Sequence, residues 1–178
     1  MSDDSLDRAA DALLSLAAER PWREIALRDV AEKAEVPFAE LYGLANGKTA
    51  LLAHAAARFD QAALATAATA SDDVHDRLFD AVMARVEAMA AHREALIAMA
   101  RDGAALALAP HLPRTARAIL EAAGVDATPP RLVAMTAVWA RTLQVWRDDT
   151  GALNRTMAEI DKRLKQMRDR LHLVRAGF

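Results

Sequence analysis

Side chains bind metals or catalyse reactions when histidine, cysteine or carboxylate groups are spaced so that the fold brings them together. The chain of 178 residues contains no cysteine, which excludes disulfide scaffolds, thiol catalysis and cysteine-ligated metals. No carboxylate follows three or four residues after any of the five histidines, which are His54, His75, His92, His111 and His172. Since no nucleophile–base pair or acid pair stands out either, we expect no metal site, no cofactor and no enzymatic activity.

A second kind of chemistry, the binding of an apolar molecule, is suggested by methionine and tryptophan. These side chains suit adaptable and partly polar pockets. The same residues also serve in ordinary core packing, so both interpretations stay open at this point. The positions concerned are Met99, Met135, Trp139, Leu143 and Trp146.

The composition predicts an all-α protein. Hydrophobic residues make up 53% of the chain and aromatic residues only 4%, so alanine, leucine, valine and methionine supply most of the apolar mass. Alanine and leucine favour helices, whereas the β-branched and aromatic residues that favour strands are scarce. This much apolar surface excludes disorder as the main state and is enough for one real core.

Charge and hydropathy bear on location and partners. No apolar run approaches the roughly 18 residues of a membrane span, and the first residues are acidic instead of basic. We therefore expect a soluble, cytoplasmic protein. The formal net charge of −2 predicts no strong overall attraction to nucleic acid.

The helical patterns predict about nine helices. The first ends near Pro21, two short ones cover residues 27–34 and 38–44, and a longer one runs over residues 48–66. Thr128 precedes two prolines and is expected to cap the helix that begins there. The later helices are longer, and no internal repeat is present.

The two short helices at residues 27–34 and 38–44, joined by a tight turn, are typical of a helix-turn-helix unit. In such a unit the first helix braces the second, whose outward face can enter a DNA major groove about 12 Å wide. The sequence is therefore expected to divide into a helix-turn-helix domain at residues 1–47 and a larger helical domain at residues 48–178.

Residues 9–52 resemble the TetR family of one-component bacterial regulators. The matching stretch reads AADALLSLAAERPWREIALRDVAEKAEVPFAELYGLANGKTALL. It contains a first helix ending in AER, a bracing helix LRDVAEKA, a second helix with the pair LY, and a lysine that opens the next helix. The resemblance implies a TetR-like fold in which the larger domain dimerises and binds an effector.

The resemblance also implies roles for individual residues. Arg28, at the start of the bracing helix, and Lys48, at the start of the helix after the unit, would contact phosphates. The residues on or near the face toward DNA would be Phe38, Ala39, Glu40, Tyr42 and Gly43. Tyr42 is the strongest single candidate, because a phenol can pack on a sugar and hydrogen-bond a phosphate.

The charge of residues 1–58 bears on how tightly DNA would be held. Seven basic residues stand against ten acidic ones, a net charge of −3. Glu35 occupies the turn position where the family usually has glycine, and Glu40 lies close to the expected DNA face. Because affinity for DNA depends largely on neutralising phosphates, we expect each head to bind weakly and a dimer to recover affinity through effective concentration.

A second resemblance lies near the carboxyl terminus. Residues 148–163 read DDTGALNRTMAEIDKR and are similar to the TetR-fold accessory proteins of coenzyme-Q biosynthesis, which bind lipid and have lost DNA binding. Their pattern is an aspartate, a turn, a threonine eight residues on and an arginine seven further. Here these would be Asp148, Thr156 and Arg163.

The last helix suits that second resemblance. From residue 162 to residue 178 there are six basic residues and one acid, a net charge of +5. Together with an apolar stripe this predicts either a basic amphipathic helix lying on an anionic membrane through residues 157–178, or a dimer or core helix with a solvated outer face. The stripe is Met157, Ile160, Leu164, Met167, Leu171 and Val174.

Two functions therefore follow from the sequence. The first is a TetR-like transcriptional regulator that binds DNA as a homodimer and a small apolar ligand in its larger domain. The alternative is a non-enzymatic lipid-binding accessory protein of ubiquinone biosynthesis, with a degenerate DNA-binding head and a membrane-touching last helix.

Overall fold

The computed structural model describes residues 2–69, 71–104 and 109–176. Over these residues it contains nine α-helices, three 3₁₀ turns and no strand, which confirms the all-α prediction. The helices are α1 (Ser2–Glu19), α2 (Leu27–Lys33), α3 (Phe38–Leu44), α4 (Lys48–Ala65), α5 (Val74–Ala90), α6 (Arg93–Arg101), α7 (Leu112–Ala122), α8 (Pro129–Asp148) and α9 (Asn154–Ala176). The 3₁₀ turns cover Trp22–Glu24, Thr66–Thr69 and Ala109–His111. None of the helices in these ranges combines the length and hydropathy needed to cross a membrane.

The starts of two helices show how the local sequence sets them. At α5 the Asp73 carboxylate accepts hydrogen bonds from the backbone N–H groups of His75 and Asp76, at 2.6 and 3.2 Å, and these bonds lower the pKa of Asp73. At α8 the expected cap is wrong, because the Thr128 side chain makes no capping hydrogen bond. The fixed φ of the prolines in the first turn suits the helix without one.

The chain forms two compact units. The first comprises residues 1–58 and 89–110, and the second comprises residues 59–88 and 111–178. The functional boundary expected at residue 47 stays a prediction. It falls inside the first unit, which includes the beginning of α4 and the whole of α6.

The first unit is organised around α1, which packs against α2, α3 and α6. Alanine and leucine recur at helical spacing along α1, and this stripe is almost fully removed from solvent. Opposite it lie the buried side chains of the short helices and of the start of α4. The core residues of this unit include Ala9, Ala10, Leu13, Leu14, Ala17, Val30, Leu41, Leu51 and Leu52.

The second unit is organised around α8, which packs against α7 on one side and α9 on another. The stripe expected on the last helix is buried here at Ile160, Leu164 and Met167, whereas Met157 is 39% exposed. The central residues of this helix therefore pack in the core of the second unit. A role of the helix in a dimer stays a prediction. The side chain of Val174 and residues 177–178 lie outside the described residues.

A buried ion pair joins three helices of the second unit. The Arg85 guanidinium on α5 donates through Nε to the Asp60 carboxylate on α4 at 2.7 Å. The Thr115 hydroxyl on α7 donates to the same carboxylate oxygen at 2.9 Å and accepts from Arg85 Nη2 at 3.3 Å. Arg85 also lies over the Trp139 ring of α8, 4.5 Å from its centroid. Each charge is thereby compensated in a place where an isolated charge would be very unfavourable.

The turn between α8 and α9 is closed by Asp149. Its carboxylate accepts hydrogen bonds from the backbone N–H and the hydroxyl of Thr156, at 2.8 and 2.9 Å, and both residues are buried. The backbone bond from Thr156 is the main cause that lowers the pKa of Asp149. The expectation that Asp148 opens this turn needs correction, because Asp148 is exposed and forms an ion pair with Arg147 at 2.9 Å.

Asp60→Ala is expected to lower the free energy of unfolding by about 3–5 kcal/mol, because it leaves the Arg85 charge buried without its counter-charge. Chemical denaturation followed by circular dichroism measures the change. The double variant Asp60→Leu/Arg85→Met should recover most of the loss, since apolar groups of similar volume often replace a buried pair without penalty. Lys165→Ala, in an exposed pair with Asp161, is the matched control and should change stability by less than about 1 kcal/mol.

Asp149→Asn is expected to lower the melting temperature at neutral pH and to have little effect in acid. The folded-state pKa of Asp149 lies below its unfolded value, so its contribution is present above the unfolded pKa and is lost as the pH falls through the folded pKa. Melting curves of both proteins between pH 7 and pH 2 test this, and a difference that stays constant through the acid range would contradict it.

Candidate nucleic-acid interface

The turn between α2 and α3 shows how this pair of helices is built. The N–H of Val36 donates to the Ala31 carbonyl at 3.0 Å, and the intervening Glu35 has a φ of +53°. This is the left-handed helix ending that glycine normally occupies, and a side chain there adds strain of roughly 1 kcal/mol. Glu35 therefore adopts a backbone conformation that favours glycine, and the tight turn forms with a glutamate in it.

Burial of one leucine sets the rotation of α3. Leu41 is completely removed from solvent and is the one buried residue within α3. Because successive helix residues are 100° apart, the positions on the side away from Leu41 face outward, whereas Leu44 is half-buried. Phe38 and Tyr42 are 40% and 58% exposed, and Ala39 and Gly43 are exposed beside them. The helix thus presents the residues that the sequence analysis placed toward DNA.

Arg28, Phe38 and Tyr42 lie together on this surface and form what we call the aromatic cluster. The two ring centroids are 6.1 Å apart with the planes tilted by 48°, as one helical turn on α3 requires. The Arg28 guanidinium on α2 lies over the Phe38 ring, 5.2 Å from its centroid. This cation–π contact holds a positive charge at the edge of the exposed rings.

Glu40 points away from the aromatic cluster. Its carboxylate accepts a hydrogen bond from the Ser5 hydroxyl on α1 at 2.8 Å. The acid that the sequence placed close to the DNA face therefore serves to tie α3 to α1. This contact holds the Glu40 carboxylate toward α1.

Lys48 binds backbone carbonyl groups of the protein itself. Its ammonium donates to the carbonyl oxygen of Trp22, and to that of Ile25 at 2.8 Å, and it lies 4.6 Å from the centroid of the Trp22 ring. Partial burial lowers the pKa of Lys48 by removing the ammonium from water. Trp22 has a second contact, because its backbone N–H donates to the Asp102 carboxylate at 2.8 Å. Lys48 thus holds the segment that leads into α2.

Most basic side chains of residues 2–58 form ion pairs with carboxylates of the same residues. Among the described residues 2–58, every basic side chain other than Lys48 and Arg28 forms an ion pair with a carboxylate, and these are Arg8, Arg20, Arg23, Lys33 and Arg58. Arg28 has the Phe38 ring as its neighbour and no carboxylate within 4 Å. It is therefore the cation best placed to meet an external anion.

The residues expected to bind an apolar ligand do not all belong to one unit. Met135, Trp139 and Trp146 are buried in the second unit, with Leu143 half-buried on the same helix, whereas Met99 is buried in the first unit.

The position of the Arg85 guanidinium over Trp139 was not predicted from the sequence. Its hydrogen-bond partners Asp60 and Thr115 lie 25 and 30 residues from Arg85 in sequence. Helical periodicity carries no signal for contacts of that separation.

The first unit also contains a surface groove of about 530 Å³ that the sequence analysis did not anticipate. It runs between α1 and the junction of α5 with α6, and small or polar side chains form most of its wall. Its lining residues are Asp11, Leu14, Ser15, Ala18 and residues 90–95. It therefore differs in chemistry from the tryptophan- and methionine-lined cavity that was expected.

Comparison with known proteins identifies the fold. No family model matches the sequence, and no curated protein matches it. Six solved chains match in structure, and one of them is a TetR transcriptional regulator from Rhodococcus sp. RHA1. It is 17% identical, superimposes with a TM-score of 0.70, and the match covers 93% of this chain and 96% of that one. At this identity the likeness shows the fold, so the expected TetR-like all-α architecture is confirmed.

Lys48→Ala is expected to lower the free energy of unfolding by about 2 kcal/mol, because two hydrogen bonds from a charged donor to backbone carbonyls are lost. Arg28→Ala removes the same charge from an exposed site and is expected to leave stability within about 0.5 kcal/mol. Urea denaturation of the two variants makes the comparison. Equal stabilities for the two would contradict the internal role of Lys48.

Proposed function

We propose that the protein is a TetR-like one-component transcriptional regulator that binds DNA through α2 and α3. The observation that carries the proposal is the exposed aromatic cluster on the second helix of a helix-turn-helix unit. Large aromatic side chains on a surface usually mark a binding site. Here Arg28 contributes the positive charge, and Tyr42 contributes a hydroxyl suited to a phosphate or sugar contact.

A dimer is part of the proposal, because one head offers few phosphate contacts. With Arg28 as the main unpaired cation, a single unit would hold DNA weakly. Two heads placed about 34–36 Å apart would reach successive major grooves and would act with a high effective concentration. Val133 on α8 is 71% exposed and is a candidate contact with a second copy of the chain.

The effector in this proposal is a small apolar molecule bound in the second unit. Met135, Trp139, Leu143 and Trp146 on α8 are the candidate contacts. A ligand that binds one spacing of the two heads better than the other shifts the population toward that spacing. Regulation would follow, because only the spacing that matches successive grooves holds DNA tightly.

A salt titration of binding to random duplex DNA tests the proposal. The dimer is expected to bind at low salt, with log K falling linearly as log salt rises. Arg28→Ala removes one phosphate contact from each head, so the slope should become shallower by about two. Absence of binding at low salt would contradict the regulator.

Arg23→Ala is the matched control for that titration. Arg23 is exposed in the 3₁₀ turn before α2, and its contact with Glu24 is long at 3.8 Å. Removing it changes the net charge by the same amount as Arg28→Ala but leaves α2 and α3 intact. If both substitutions change the slope equally, the contact does not lie at the aromatic cluster.

A second function on the same fold is favoured by the internal use of cations in the first unit and by the closed turn between Asp149 and Thr156. It is a non-enzymatic lipid-binding accessory protein of ubiquinone biosynthesis that touches anionic membrane through α9. With Ile160, Leu164 and Met167 buried, the membrane contact would come from the exposed basic residues of α9, which are Lys162, Lys165, Arg168 and Arg170.

Flotation with vesicles that contain phosphatidylserine tests this second function. Deleting α9 would remove core side chains, so the informative variant replaces the four exposed basic residues with glutamine. Loss of flotation in that variant, with unchanged melting temperature, would support the membrane contact. Flotation that is weak in both proteins, or unchanged by the substitutions, would exclude it.

A further inference from the structure

The outward face of α3 has an unusual composition for a helix that meets DNA. The helix reads FAELYGL, and its exposed positions are Phe38, Ala39, Glu40, Tyr42 and Gly43. Glu40 is engaged by Ser5 on α1. The remaining side chains offer a phenyl ring, a methyl group, a phenol and no amide, ammonium or guanidinium.

This composition restricts how the face can recognise a base. Guanine is normally read by arginine or lysine donating to its O6 and N7, adenine by an asparagine or glutamine, and cytosine by a free carboxylate. The exposed face of α3 carries no arginine, lysine, asparagine or glutamine, and its one carboxylate, Glu40, accepts a hydrogen bond from Ser5 on α1. Thymine differs from the other bases because it carries a 5-methyl group in the major groove, which phenylalanine and alanine contact through their apolar surface.

We propose that α3 reads thymine through its 5-methyl group, with Phe38 and Ala39 as the specificity-determining residues. The inference rests on the DNA-binding function proposed above and names the chemistry of the partner at the same site. The ring of Phe38 is available for this contact because it is 40% exposed, and it lies 6.1 Å from the Tyr42 ring and 5.2 Å from the Arg28 guanidinium.

Charge at the rim of the face favours a duplex as the occupant. Arg28 lies next to Phe38 and has no carboxylate within 4 Å among the residues described, so its charge is available to a phosphate. The acid nearest in sequence to the apolar residues, Glu40, is turned toward α1. A helix with side chains is about 10–12 Å across and fits a major groove of about 12 Å. The anchor is thus a phosphate contact, and the sequence preference comes from methyl contacts.

The experiment starts from full-length protein and a pool of duplexes with a random stretch of roughly 30 base pairs, enough to span two half-sites. Duplexes retained at low salt are sequenced and synthesised again with deoxyuridine in place of thymidine. This replacement removes only the 5-methyl group and preserves base pairing and the O4 acceptor. Affinity for the two forms is measured by fluorescence anisotropy.

We expect thymine to be enriched in the retained duplexes and affinity to fall roughly fourfold for each contacted methyl group that is removed. Phe38→Ala should reduce the ratio of the two affinities and leave only the part of the methyl effect that Ala39 contributes. Arg28→Ala should weaken both duplexes by the same factor and keep their ratio. Circular dichroism of each variant confirms that the exposed substitutions leave the fold intact.

The outcomes separate this inference from the proposed function. Duplexes that are retained but bind equally with thymidine and deoxyuridine would overturn the methyl readout and leave the regulator in place. A ratio that is unchanged in Phe38→Ala would overturn the role of Phe38. If no duplex is retained from the pool, the DNA-binding function fails and the methyl readout fails with it.

Discussion

The burial of Leu41 is the contact on which the candidate interface depends. A helix of seven residues has little stability of its own, so its position is fixed by what it buries. Leu41 is the residue that α3 removes completely from solvent, and helix geometry then turns Phe38 and Tyr42 outward. The hydrogen bond from Ser5 to Glu40 fixes the same rotation from a second point. The exposed aromatic surface is therefore a consequence of core packing.

The first unit uses its charges mainly to hold itself together. Lys33 pairs with Glu19 at 2.7 Å and joins α2 to α1, while Arg20 pairs with Asp29 at 3.1 Å across the same junction. Lys48 ties the segment before α2 to the start of α4 through backbone carbonyls. Exposed ion pairs of this kind contribute little each, yet they occupy cations that a DNA-binding head would otherwise direct at phosphates. Residues 1–58 carry a net charge of −3, and these contacts place much of their positive charge next to carboxylates or carbonyls of the same region.

Helix periodicity was enough to predict the class of fold and most helix ends, because both depend on neighbours three or four residues apart. The placement of Phe38 and Tyr42 on the face toward DNA came instead from the family resemblance. Two other expectations depended on contacts that helical periodicity does not determine. Whether Lys48 reaches outward or toward the Trp22 and Ile25 carbonyls depends on a contact across more than 20 residues. Sequence alone does not decide whether Asp148 or the adjacent Asp149 accepts the hydrogen bonds of Thr156 at the turn between α8 and α9.

The buried ion pair of the second unit limits how that unit can respond to a ligand. Trp139, a candidate ligand contact, lies directly under the Arg85 guanidinium, which is bound to Asp60 and Thr115. A ligand that pushed Trp139 aside would remove the ring from beside the buried guanidinium, and the loss of such a desolvated cation–π contact costs about 2 kcal/mol, comparable to a typical allosteric coupling of about 1–3 kcal/mol. A ligand accommodated beside Trp139 with the pair intact avoids that penalty. Its effect would then reach α4, α5 and α7 as a movement of whole helices, because the pair joins Asp60, Arg85 and Thr115 to one another.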